Sequence, residues 1–67
     1  MPGNAMTAHE VCAQLDTRKG WHLVKCSWWT AMTLVGAGYV KAHIVGNAPN
    51  TFQMRLTGAG REWAKQP

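Results

Sequence analysis

The sequence predicts a small α+β domain, and three observations carry the prediction. The stretch from Ser27 to Val40 opens on a residue able to cap a helix, continues at helical spacing and ends in glycines. Two runs, Tyr39 to Val45 and Phe52 to Leu56, alternate apolar and polar residues on either side of a turn cluster. Ahead of them, Thr7 and Glu10 stand where a capping box would start an earlier helix.

Taken in order, Met1 to Met6 contains Pro2 and Gly3 and no periodicity, which predicts a flexible N-terminal arm over 1–6 and a single domain over 7–67. Thr7-Ala8-His9-Glu10 begins a helix expected from Ala8 to Asp16, with Ala8, Val11, Cys12 and Leu15 forming its inward stripe. Arg18 and Lys19 suit the negative end of that helix, and Gly20 can close it. Trp21 to Cys26 is apolar but too short to reveal its period. It reads either as a curtailed helix or as an enlarged turn.

From Ser27, a helix is expected to Ala37, with Ala31, Leu34 and Val35 inward and Trp29, Thr30 and Thr33 outward. Gly38 can adopt the left-handed conformation that closes helix C-termini. In the strand from Tyr39, Val40, Ala42 and Ile44 share one face while Lys41 and His43 share the other. Gly46 to Thr51 supplies turn residues, and Phe52, Met54 and Leu56 return inward with Gln53 and Arg55 outward. Thr57 can cap a last helix, Gly58 to Lys65, packed back through Trp63.

Ser-x-x-Thr-Ala, Leu-Val and Ala-Gly-Tyr-Val, read from Ser27, resemble the third helix of winged helix-turn-helix domains and its step into the wing. Downstream, Leu56-Thr57-Gly58-Ala59-Gly60-Arg61 looks like the Leu-Thr-x-x-Gly-Arg junction that follows the second wing strand in small bacterial transcription regulators. The resemblance covers residues 27 to 65. It implies helices followed by a two-stranded antiparallel wing and a short C-terminal helix, with residues 27–37 in the major groove of double-stranded DNA and the hairpin 39–56 on its backbone. A small regulator of phage or bacterial type, acting as a homodimer, is the corresponding expectation.

Charge agrees with such a partner. Seven Lys and Arg against three acids leave a net +4 in 67 residues, and the cations are scattered rather than run together. The candidate nucleic-acid surface comprises Lys25, Ser27, Trp29, Thr30, Thr33, Lys41, His43, Asn47, Asn50, Gln53 and Arg55. Lys25, Lys41 and Arg55 would neutralise phosphates, and Asn47 and Asn50 would reach the backbone from the wing tip. The helix carries no Arg, Asn or Gln, so bidentate base reading falls to Gln53 and Arg55.

Trp28 and Trp29 fit DNA binding less comfortably. Adjacent helical residues point about 100° apart, so Trp28 is expected to lean into the core beside Val35 and Trp29 to be exposed. The bland alternative is a single aromatic core of Trp21, Trp28, Trp29 and Trp63. Exposed Trp29 with Met32 would instead suit an adaptor or inhibitor that grips a host or cognate protein. His9, Cys12, His22 and Cys26 have permissive but unfamiliar zinc spacing, and Cys12 already belongs to an apolar stripe. No nucleophile–base constellation or phosphate loop is visible, and the expectation is a non-enzymatic protein without a cofactor. Neither an export signal nor a run of ~20 apolar residues stands in the sequence, so no membrane association and a cytoplasmic site are expected.

Overall fold

The computed structural model describes residues 6–66. The arm expected over 1–6 lies outside the described residues except for Met6, which is half-buried and packs against the core. Six elements follow: α1 (Ala8–Asp16), β1 (His22–Lys25), α2 (Trp28–Gly36), β2 (Val40–Ile44), β3 (Thr51–Leu56) and α3 (Gly58–Ala64). The strands form one antiparallel sheet in the order β1-β3-β2.

Local chemistry sets the helix ends. The Thr7 hydroxyl accepts from the Glu10 amide (3.2 Å), and the Glu10 carboxylate accepts from the Thr7 amide (2.9 Å), a complete capping box for α1. At α2 the Ser27 hydroxyl accepts from the Thr30 amide (3.1 Å). Its far end closes through Gly38 at φ +79, with the Gly38 amide donating to the Val35 carbonyl and the Tyr39 amide to the Leu34 carbonyl, both at 3.0 Å. That paired closure turns the chain from helix directly into β2.

Residues 21–26 are neither a curtailed helix nor an enlarged turn, because β1 occupies their centre. Val24 lies opposite Phe52, and Leu23 opposite Gln53. A four-residue strand shows its alternation only when the partner edge is known, and that edge comes from β3, more than twenty residues downstream. The proposed two-stranded wing is accordingly part of a three-stranded sheet.

Core residues come from every layer. Val11, Cys12 and Leu15 from α1 meet Ala31 and Leu34 from α2, and Val24, Val40, Phe52, Met54 and Leu56 from the sheet, with Cys26 between. Leu34 and Met54 are the largest side chains fully removed from water, each contributing about 2 kcal/mol of apolar burial. α1 packs mainly on α3 and also touches α2 and β3.

Three packing expectations change. Val35 is exposed rather than inward, since the buried arc of α2 is narrow and centred on Ala31 and Leu34. Trp28 is 52 % exposed and rests its ring against Phe52 (5.8 Å, 46°) at the margin of the core. Ile44 is 67 % exposed because it ends an edge strand beyond the cover of α2. The four tryptophans likewise form no single core: Trp21, Trp28 and Trp29 are exposed, Trp63 packs against the core from its margin, and the buried cluster is mainly aliphatic around Phe52.

The junction after β3 is tight. The Thr57 amide donates to the Tyr39 carbonyl (3.0 Å), and its hydroxyl donates to the Gly38 carbonyl (2.7 Å) while accepting from the Gly60 amide (3.0 Å). A Cβ on Gly60 would overlap the Tyr39 carbonyl oxygen and approach Leu56 Cδ1 to 2.8 Å. Glycine is therefore required where the Leu-Thr-x-x-Gly-Arg pattern has it.

Candidate nucleic-acid interface

The sheet has one face toward the helices and one toward solvent, and pairing decides which side chains share each. Lys25 lies opposite Thr51, Leu23 opposite Gln53, Gln53 opposite His43, and Arg55 opposite Lys41. Val24, Phe52, Met54, Leu56 and Val40 occupy the inner face and are buried. Strand alternation thus puts Lys25, Leu23, Gln53, Arg55, Lys41 and His43 together on the outer face. All six are exposed.

Trp21 precedes β1 and stacks on His43 of β2 (4.7 Å between ring centroids, 33° tilt). Since β3 lies between those strands, the two rings together bridge the central strand. Neither ring is enclosed, Trp21 being 37 % exposed.

Two shallow clefts continue the basic surface. One is lined by Arg18, Lys19, Arg55 and Arg61, the other by Lys41 and Arg55, and they meet at Leu56 and Gly58. Arg61 is also 3.4 Å from Asp16, a partly exposed pair that offsets some of its charge and leaves Arg18, Lys19 and Arg55 as the other cations of that cleft. Lys65 stands apart and pairs with Glu62 (3.7 Å).

The expected site residues on α2 are placed differently. Ala31 and Leu34 point to the core, so Trp29 and Thr33, on the opposite arc, point away from the sheet. Trp29 is 80 % exposed. The Ser27 hydroxyl is committed to the cap and donates to Thr30 Oγ1 (3.0 Å), and the Thr33 hydroxyl donates to the Trp29 carbonyl (2.9 Å). The polar reach of this helix is largely spent on itself. Asn47 and Asn50 are exposed in the β2–β3 loop, where Asn50 takes φ 56 and its carbonyl accepts from the Cys26 amide (3.0 Å). The structure therefore brings Lys25, Lys41, His43, Gln53 and Arg55 to one surface and leaves Trp29, Thr30 and Thr33 on another.

A separate apolar groove lies between α2 and the free edge of β2. Trp28, Met32, Val35 and Ile44 line it, over Phe52. Met32 thus joins Trp28 rather than Trp29.

The zinc set does not converge. Cys12 and Cys26 are buried free thiols; burial pushes Cys12 up to about 11 and also raises Cys26, which opposes the thiolate a metal needs. His9 Nε2 donates to the Gln66 carbonyl (2.9 Å), and His22 Nε2 to the Lys19 carbonyl (2.7 Å). Among the described residues no group of three or more His, Cys, Asp or Glu side chains is placed to hold a metal ion, and no helix is long and apolar enough to cross a membrane.

Trp21, Leu23, Arg18, Lys19 and Arg61 join this surface, to which the sequence did not assign them. Alternation through Trp21-His22-Leu23-Val24-Lys25, which becomes readable once β1 is paired with β3, links the first two to Lys25. Comparisons with models of known families, with curated proteins and with solved structures found no match to the chain.

Proposed function

We propose that this protein binds double-stranded DNA as a small transcription regulator, without a catalytic step of its own. One observation carries the reading: Lys25, Lys41 and Arg55 share the outer face of the sheet, and Arg18, Lys19 and Arg61 extend it around the clefts at Gly58. A polyanion can meet these charges together, with release of its condensed counterions as the driving term. The winged-helix architecture belongs to the same proposal. In its support, a capped helix passes through a glycine closure straight into the β2–β3 hairpin, and β3 inserts between β2 and β1. The helix pair of that architecture is then reduced to α2, and the sheet carries most of the charge. A second copy would supply stability that so small a core lacks.

Binding to duplex DNA over a salt series tests the reading. Three phosphates neutralised by Lys25, Lys41 and Arg55 alone predict a log–log slope of about −2.7, hence a loss of about 40-fold between 50 and 200 mM salt. Arg55→Ala or Lys41→Ala should bring the slope to about −1.8 and the loss to about 12-fold. Absence of binding at low salt, or an unchanged slope in both variants, refutes the proposal.

The groove lined by Trp28, Met32, Val35 and Ile44 favours a second reading, an adaptor or inhibitor that holds a protein partner. Under it, Met32→Ala would remove partner capture while leaving DNA affinity unaltered. Trp29→Ala, the substitution the sequence singles out, would test whether the contact spreads across the whole outward arc of α2.

A further inference from the structure

We infer that the outer face of the sheet binds a nucleic-acid strand with unpaired bases, one base stacking on the Trp21–His43 pair while Arg55, Lys41 and Lys25 hold its phosphates. The inference rests on the electrostatic part of the reading above, the cations shared on the outer face, and departs from it in one respect: an unpaired strand, in place of the duplex, is the preferred ligand of this face. Charge alone would suit any polyanion. The remaining side chains on that face do not serve charge: Trp21 and His43 present rings across the central strand, Gln53 lies beside them with an amide able to donate and accept, and Leu23 is 66 % exposed on the same row.

A partly exposed Trp21, an exposed His43 ring and an exposed leucine on the solvent side of a sheet cost apolar hydration, and no helix packs over that side. In a duplex the base faces are stacked against one another, so these groups would gain little from it. A strand with free base faces covers them while its phosphates reach the flanking cations, which is how sequence-tolerant single-strand binding is usually built. The element a duplex would take into its major groove, α2, points the other way. Its outward arc carries no Lys or Arg, and its hydroxyls bond within the helix.

The experiment measures binding of the full chain to three labelled probes of equal length at one low salt concentration. They are an oligothymidylate, which cannot form a duplex with itself, an abasic strand with the same phosphodiester backbone, and a blunt mixed-sequence duplex. The expected result is that oligothymidylate binds at least ten-fold tighter than either of the others. Trp21→Ala should weaken its binding five-fold or more with an unchanged salt slope, and Trp21→Phe should restore most of the loss. Equal or tighter binding of the duplex, or equal binding of the abasic strand, overturns the inference while leaving the electrostatic reading standing. These two comparisons use the unaltered protein and so stand whether or not the Trp21 variants fold. Failure of all three probes to bind overturns the nucleic-acid reading itself.

Discussion

Gly60→Ala should unfold this domain at far lower denaturant than any other single methyl addition among the described glycines. The added Cβ overlaps the Tyr39 carbonyl oxygen. That oxygen cannot swing aside, because it accepts from the Thr57 amide at 3.0 Å and Thr57 is tied through its hydroxyl to the Gly38 carbonyl at 2.7 Å. Relief therefore requires α3 to move off the sheet, which opens the stack of Trp63 on Tyr39 (4.7 Å, 14°) and the cap bond from the Gly60 amide to Thr57 (3.0 Å). Overpacking costs about 1–3 kcal/mol, the aromatic stack about 0.5–1.5 and the cap about 1, and since relief of one term sacrifices another the net is roughly 3 kcal/mol. Whole domains of this size hold roughly 3–10 kcal/mol, so a third or more of the stability goes. Urea unfolding followed by tryptophan fluorescence and far-ultraviolet circular dichroism reads the change. At about 1 kcal/mol per molar urea, the midpoint should fall by about 3 M. Gly58→Ala is the control, since a Cβ there meets open space and should leave the midpoint within about 0.5 M or raise it. A Gly60→Ala midpoint as close to wild type as the control would refute the account of the junction.

Two further outcomes follow from α1 and the buried thiols. Thr7→Ala should cost about 1 kcal/mol at pH 7 through the lost cap. The wild-type advantage should shrink in acid: Thr7 backbone and hydroxyl hydrogen bonds lower the Glu10 carboxyl below 4.5, so this stabilisation is complete above that value and is lost as pH falls through the lowered one. Urea midpoints of both proteins from pH 7 to pH 3 check it, a constant difference being the contrary result. Cys12 and Cys26 should resist a water-soluble disulfide reagent at pH 8 in the folded protein and react promptly in urea, because burial raises both thiols and bars access. Fast labelling of the native chain would show the core to be open.

The helices were legible from local chemistry because their signals lie within one turn. Thr7 with Glu10, Ser27 with Thr30, and Gly38 with its two amide donors each resolve in adjacent residues, and the bounds of α1 emerge as read. The hairpin was legible from alternation in Lys41, His43, Gln53 and Arg55. What stayed hidden depends on distant partners. β1 shows its faces only against β3, and with it the alignment of Trp21 and Leu23 with Lys25. Val35 and Ile44 read as inward from spacing alone, yet α2 covers less of the sheet than an apolar stripe of its width suggests, and both remain in water. The helix hydroxyls read as contacts for another molecule, whereas Ser27 and Thr33 bond to their own backbone and neighbours.

The placement of the last strand at the centre of the sheet governs how the chain can acquire structure. β1 and β2 never pair with each other; each meets only β3. Until residues 51–56 arrive, neither outer strand has a backbone partner, and the apolar sides of α1 and α2 have no floor. Both ladders then form around the same six residues, and the longer loop, from Lys25 to Thr51, closes together with the shorter. Sequence-distant pairing of this kind slows folding and favours all-or-none behaviour. A chain that stops short of Thr51 thus lacks the whole sheet rather than one strand of it, and folding must wait for the C-terminal quarter to be made.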